Sequence, residues 1–386
     1  MKTFEKTHPW IKFQADLRKL TYELWIMLGE CQSKCEHIAG VLLQPKIATE
    51  LHQLYLAKGV LATTAIEGNT LTEQEVLQLL QKKLKLPPSK EYLAQEVTNI
   101  LGACNGILQK VQVGEKPKLD STMIREFNQM VLKGLSLENH VKPGEIRTYS
   151  VSVGNYKGAP AEDCEYLLER LCEWTNGNFI HGKSNLQIVD AIIKAALTHL
   201  YFAWIHPFGD GNGRTARLIE FLILINSGVP SPAAHLLSNH YNQTRTEYYR
   251  QLDYASKSGG EISSFLFYAV QGFRDGLKSQ IEVIKEQQWH VTWRDYVHWC
   301  FQDKNSVADK RRRDLVLDLS FQSESISLEK LTEISARIAK AYAGKTKKTL
   351  SRDVNELIEM KLVEKIQKGY RVKTEQILAF LPVTVR

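Results

Sequence analysis

The sequence predicts a mostly α-helical protein of two or three domains that ends in a winged helix-turn-helix. Three observations carry this. Apolar residues recur at three- and four-residue spacings through most of the first 300 positions. One short stretch alternates instead and reads as a β-hairpin set into a helical domain. Beyond Asn305, three helical segments precede two short strands around a turn.

In chain order, Leu17–Leu28 and Leu51–Leu61 hold the helical spacing. Thr72 and Glu75 form a capping box that opens a helix through Leu80, and Pro87-Pro88 breaks the chain after it. Asp120-Ser121 starts a helix containing Ile124–Leu132, and Asn176-Gly177 closes one carrying Leu167, Leu168 and Leu171. Ile188–Leu200 is a further, strongly apolar helix. Val151-Ser152-Val153 alternates, punctuated by Gly144, Gly154 and Gly158 between Pro143 and Pro160, and this predicts the hairpin. Ile262–Ile284 reads as one long helix and the aromatic-rich Trp289–Phe301 as a packed connector. Past Asn305, a first helix carries Leu315, Leu317 and Leu319. A second follows Ser327 with Leu331, Ile334 and Ile338. Gly344 breaks the chain, and a third helix runs from about Lys348 to Met360. Leu362–Ile366 and Tyr370–Lys373, turning at Gly369, form the wing.

At 386 residues the chain exceeds a single core, and 43% hydrophobic with 24% charged residues excludes disorder and low complexity. No stretch approaches about 18 consecutive apolar residues, and Met1–Phe13 lacks an apolar signal core. A cytoplasmic protein with no membrane partner is expected. Six cysteines without a CxxC pair read as reduced thiols, and Cys31, Cys35 and His37 lack a fourth ligand for zinc. The net charge is +7, and residues 305–386 hold 17 Lys+Arg against 11 Asp+Glu, so nearly all the excess lies there. Lys345, Lys347, Lys348 and Arg352 cluster near the start of the third helix, with Lys368, Arg371 and Lys373 on the wing. This suggests an acidic partner such as DNA, while a protein-binding module and a plain solvated surface stay equally open.

The chemistry concentrates in residues 206–217, His-Pro-Phe-Gly-Asp-Gly-Asn-Gly-Arg-Thr-Ala-Arg, between two apolar helices. Pro207, Gly209, Gly211 and Gly213 force a loop, and the glycines let backbone N–H groups approach a ligand. A helix starting near Arg214 turns its free amides and positive dipole end toward that loop, which suits a polyphosphate. Arg214 and Arg217 add charge, and Asn212 can donate to a phosphate oxygen. Asp210 can share Mg²⁺ with the phosphates, and His206 can take a hydroxyl proton. Phe208 reads as an anchor into the core.

These residues resemble the Fic family signature, His-x-Phe-x-Asp/Glu-Gly-Asn-Gly-Arg-x-x-Arg, at every fixed position. The resemblance implies a helical Fic-type domain and transfer of AMP from ATP, with Mg²⁺, to a Ser, Thr or Tyr hydroxyl of a target protein. It makes His206 the base, Asp210 the metal ligand, and Gly211, Asn212, Gly213 and Arg214 the phosphate cradle, with Arg217 on the γ-phosphate. Thr63-Thr64-Ala65-Ile66-Glu67-Gly68-Asn69 resembles the family's inhibitory helix. A Glu67 carboxylate on Arg217 would take the γ-phosphate's place, so autoinhibition is expected. The hairpin at Ile146–Tyr156 stands where the family's flap does. It adds Val153 and Gly154 to the nucleotide site and offers an edge strand to an extended target. Tyr248 and Tyr249 stand where the adenine pocket does, although a core helix accounts for them as well. Self-modification and a homodimer are implied too.

The expected domains are therefore 1–95, a helical segment bearing the inhibitory helix; 96–260, the catalytic domain; 261–304, a helical connector; and 305–386, the winged helix. Two other functions stay open. One is a Fic-type enzyme that removes AMP or transfers another phosphate-containing group. The other is a nucleotide-sensing, DNA-binding regulator. The complete motif favours AMP transfer.

Overall fold

The computed structural model describes residues 2–154, 156–180 and 184–378. The chain divides into two compact units, one up to Ile281 and one from Glu282. The first contains α1 (Thr3–Thr7), α2 (Tyr22–Ala39), α3 (Pro45–Ala65), α4 (Glu73–Leu80), α5 (Glu91–Gln112) and α6 (Ser121–Leu132). A hairpin of β1 (Ser152–Val153) and β2 (Tyr156–Lys157) follows. Then come α7 (Cys164–Asn176), α8 (Gln187–Ile205), α9 (Asn212–Asn226), α10 (Leu236–Gln243), α11 (Arg245–Lys257) and the first part of α12 (Ser263–Cys300).

The local signals account for many of the helix starts. Thr72 accepts from the Glu75 N–H, and Glu75 Oε2 accepts from the Thr72 N–H at 2.7 Å, which completes the capping box of α4. Asp120 Oδ1 caps α6 by accepting from the Met123 N–H at 2.7 Å. The core centres on α8, which packs against α9, α7 and α2. Its apolar residues wrap the whole helix, and Ile192, Ile193, Leu197, Leu200 and Phe202 are fully enclosed. Each such side chain stabilises the fold by about 1.5–3 kcal/mol. By length and composition α8 could cross a membrane, but most of it is buried inside this unit. α9 is buried on nearly every side although it carries Asn212, Arg214, Arg217 and Glu220. α3 lies against α10, where Gly59 faces His235 so closely that a methyl group at 59 would overlap the imidazole. The hairpin is shorter than the alternation suggests, with Ser152 opposite Lys157 and Val153 opposite Tyr156.

The second unit contains the rest of α12, α13 (Val307–Leu319), α14 (Ala336–Tyr342), α15 (Lys347–Glu359), β3 (Val363–Ile366) and β4 (Gly369–Val372). Two expectations are corrected here. Trp289–Phe301 is no separate connector: residues through Cys300 continue α12, because neither Gly nor Pro interrupts the chain after Gly276. The second helix does not follow Ser327. A 3-10 turn covers Lys330–Glu333, and α14 starts only after Ser335, whose hydroxyl accepts from the Ile338 N–H at 3.2 Å. Trp293, Val297, Leu315, Leu319, Ile338 and Leu357 share one core. Buried Asp353 accepts from Arg311, Arg312 and Tyr342, tying α13 and α14 to α15. Residues 379–386 of the expected C-terminal domain lie outside the described residues.

Candidate active site

The loop between α8 and α9 is built by two left-handed residues. His206 ends α8 with φ 50°, and Gly211 precedes α9 with φ 74°. The first bend turns the chain out of the helix, and the second starts α9 at Asn212, earlier than the start near Arg214 expected from the sequence. Phe208 is buried, as an anchor should be. Asn212 Oδ1 accepts from the Phe208 N–H at 3.0 Å, and its Nδ2 donates to the Phe208 carbonyl at 2.8 Å. The Asn212 side chain is thus used within the loop, and its backbone N–H is what it offers to an anion. Asn128, on α6, donates to the Asp210 carbonyl at 2.9 Å and holds the loop down.

This loop borders a cavity of about 780 Å³. His206, Asp210, Gly211, Asn212, Gly213 and Arg217 line one side, and Glu67, Val153, Gly154, Tyr248 and Tyr249 complete the wall. The fold brings together every residue expected at the nucleotide site except Arg214. Its guanidinium is buried, donating to Glu96 Oε1 at 3.0 Å and Asp210 Oδ1 at 3.2 Å. It braces the Asp210 carboxylate instead of facing the cavity.

Arg217 and Glu67 form an ion pair in the cavity. Arg217 donates from Nε to Thr63 Oγ1 at 2.6 Å, and from one terminal nitrogen to the Thr63 carbonyl at 3.0 Å and Glu67 Oε1 at 2.6 Å. Glu67 sits in the turn just past the end of α3, which places its carboxylate against the first turn of α9. A methyl group at Gly213 would overlap Glu67 Oε1. Burial pushes the Glu67 pKa up, but the charge and hydrogen bond of Arg217, with Arg214 and His206, prevail and hold it below the usual glutamate value. The carboxylate therefore stays ionised at neutral pH.

Burial and then the nearby Arg147 guanidinium push the His206 pKa down to about 4, against smaller opposing effects from the Ala203 carbonyl, Glu67 and Asp210. At pH 7 the imidazole is neutral and able to accept a proton. Tyr248 is buried, and its hydroxyl shares a hydrogen bond with His199 Nε2 at 2.7 Å; Tyr249 is 39% exposed at the cavity rim. Glu220 lies 3.2 Å from His199 Nδ1 and accepts from the Tyr241 hydroxyl at 3.0 Å. Arg147, His199, Glu96, Asn128 and Glu220 were not legible as site residues. Their partners are backbone groups or side chains far along the chain, so no local spacing marks them.

Residues 118–224 match the Fic/DOC family. This segment is a Fic domain and covers less than a third of the chain. Two relatives named protein adenylyltransferase fic-1 align with it. The one from Caenorhabditis elegans is 30% identical over 256 residues, which is 66% of this chain and 46% of that protein. The one from Caenorhabditis briggsae is 29% identical over 262 residues, 68% of this chain and 48% of that protein. The chain thus spans about half the length of these curated relatives. Among solved structures, a Fic family protein from Desulfovibrio desulfuricans G20 superimposes with a TM-score of 0.56 at 20% identity, over 92% of this chain and 97% of that one. Residues 134–508 of Fic-1 from C. elegans superimpose with a TM-score of 0.51 at 26% identity, over 66% of this chain and 70% of that one. The matched Fic segment contains α6 to the body of α9, whereas Glu67, Tyr248 and Tyr249 lie outside it.

Proposed function

We propose that this Fic-domain protein is an adenylyltransferase that moves AMP from ATP to a Ser, Thr or Tyr hydroxyl of a target protein, and that Glu67 restrains it. The observation that carries this reading is the Glu67 carboxylate seated on Arg217 and the amide end of α9, beside a neutral His206. That place suits a γ-phosphate in charge, donors and room. With Glu67 withdrawn, Arg217 takes the γ-phosphate, and the N–H groups at the start of α9 take anionic oxygens. Tyr248 and Tyr249 flank the adenine. An extended target segment adds to the exposed edge of β1, next to Val153 and Gly154. His206 takes the proton of the target hydroxyl. The oxygen then bonds to the α-phosphorus, the bond to the bridging β-phosphate oxygen breaks, and pyrophosphate leaves. Positioning and charge supply most of the acceleration.

Asp210 fits a magnesium ligand. Its recorded bonds, from Arg214 and the Gly211 N–H, both use Oδ1, and its side chain is 45% exposed. No group of three or more acidic, His or Cys side chains able to hold a metal occurs among the described residues. A single carboxylate suits Mg²⁺ that arrives with the nucleotide and draws charge from its phosphates. The six free cysteines support a reducing, cytoplasmic setting.

The test is intact mass spectrometry after incubation with Mg-ATP. Glu67→Gly should gain an AMP-sized adduct, wild type only a trace, and Glu67→Gly/His206→Ala none. Absence of transfer by Glu67→Gly, even to cell-extract proteins with α-labelled ATP, overturns the reading. Label arriving from the γ-phosphate would assign phosphate transfer instead. A second reading concerns the second unit, where Lys345, Lys347, Lys348 and Arg352 are exposed at and near the start of α15 and Lys368 and Arg371 on the β3–β4 hairpin. We propose that this unit is a winged helix that binds DNA.

A further inference from the structure

Arg147 is 4% exposed, in the segment leading to β1. Its Nε donates to the His206 carbonyl at 2.8 Å, and one terminal nitrogen to the Tyr149 carbonyl at 2.6 Å. The other donates to the carbonyls of Ala159 and, at 3.3 Å, Ile205. Its own N–H donates to the Pro207 carbonyl at 3.0 Å. These partners are all backbone, and among the described residues it makes no ion pair with a carboxylate. Burying an uncompensated guanidinium is expensive, so stability alone is a poor reason for one here.

The five carbonyls define what it connects. Ile205, His206 and Pro207 bracket the left-handed bend that carries the imidazole, a conformation that costs a non-glycine residue about 1–3 kcal/mol. Tyr149 lies ahead of β1, and Ala159 lies beyond β2. Gly158, between β2 and Ala159, has little room for a side chain: a methyl there would stand 3.0 Å from both an Arg147 terminal nitrogen and the His206 Cβ. The hairpin's exit is therefore packed directly on the bend. We propose that Arg147 is the positioning residue for the base, pinning the His206 backbone in its bend and tying it to both flanks of the β1–β2 hairpin. This deepens the reading of His206 as the base and rests on it. In the same place the guanidinium is a fixed positive charge that disfavours imidazolium, whereas Glu67 and Asp210 favour it. One side chain thus sets where the base stands and adds to the burial that keeps it free of its proton.

Lysine and methionine separate these two effects, because lysine keeps the charge but cannot serve the carbonyls together. In the Glu67→Gly protein, Arg147→Lys and Arg147→Met should each lower kcat for AMP transfer by about a hundredfold. The apparent KM for ATP should stay within about twofold, since neither change touches the phosphate contacts. NMR titration of His206 should show its midpoint rising toward the ordinary histidine value in Arg147→Met and staying low in Arg147→Lys. An unchanged kcat in either variant overturns the proposal, and so does a loss matched by an equal rise in the KM for ATP, which marks general collapse of the site. If Arg147→Met does not fold, Arg147→Lys carries the kinetic test. Failure of the enzymatic reading looks different: Glu67→Gly itself would transfer no AMP. The titration would still decide, because an unmoved His206 midpoint in Arg147→Met overturns the link between the two residues.

Discussion

Burial lowers the pKa of four histidines, His8, His206, His235 and His240, and two of them are enclosed most fully. His206 stands at the cavity, and His235 is enclosed against Gly59 and stacked on Phe221 with ring centroids 4.6 Å apart. Burial first, helped by Arg147 in one case and His52 in the other, pushes both pKa values down to about 4. The unfolded chain takes up these protons near pH 6.5, but the folded protein does so only near pH 4. Between those limits the unfolded state binds more protons, so stability falls as pH falls. The depressed Glu67 carboxyl acts in the same direction at the acid end. Denaturant titration should find the first unit less stable at pH 5 than at pH 7, by on the order of 1–2 kcal/mol per histidine. His235→Gln should make that slope shallower without abolishing it. A flat profile from pH 7 to pH 5 would mean that both imidazoles find an acceptor or an opposing charge the geometry does not show.

At the scale of elements, the proposed brake depends on where α3 lies. Thr63 and Glu67 reach Arg217 only because the end of α3 approaches the start of α9. That approach depends in turn on Gly59, which lets α3 settle on His235 of the segment entering α10. Gly59→Ala sets a methyl group against the ring. It should destabilise the first unit by about 1–3 kcal/mol and shift α3 outward. Self-modification by the otherwise wild-type protein should then rise several-fold, though below the Glu67→Gly level. Thermal unfolding and adduct mass from one preparation check both halves. A lowered melting temperature with no added transfer would show that Glu67 holds its place without help from the rest of the helix.

For the whole molecule, the excess charge lies in the second unit, although several of its arginines are already spoken for. Arg311 and Arg312 are held by Asp353, and Arg371 by Glu364. Lys348, Arg352 and Lys368 stay exposed for a partner. If that partner is DNA, full-length His206→Ala should bind duplexes as wild type does, selectively by sequence. Lys348→Ala/Arg352→Ala should weaken binding about tenfold or more and reduce its salt dependence. Binding with no sequence preference would leave only general charge attraction. The helical class, the loop at 206–211 with His206 and Asp210, and the arginines at the start of α9 all follow from the sequence, because glycines, helix periodicity and a twelve-residue motif act locally. The pairing of Glu67 with Arg217 was legible as well, since both ends carry recognisable motifs. Only the tertiary structure decided the rest. It turned Arg214 onto Glu96, closed Asn212 on Phe208, and surrounded Arg147 with five carbonyls beside the base. Backbone carbonyls and burial carry no letter of their own, so the groups that surround His206 emerge only when distant segments pack.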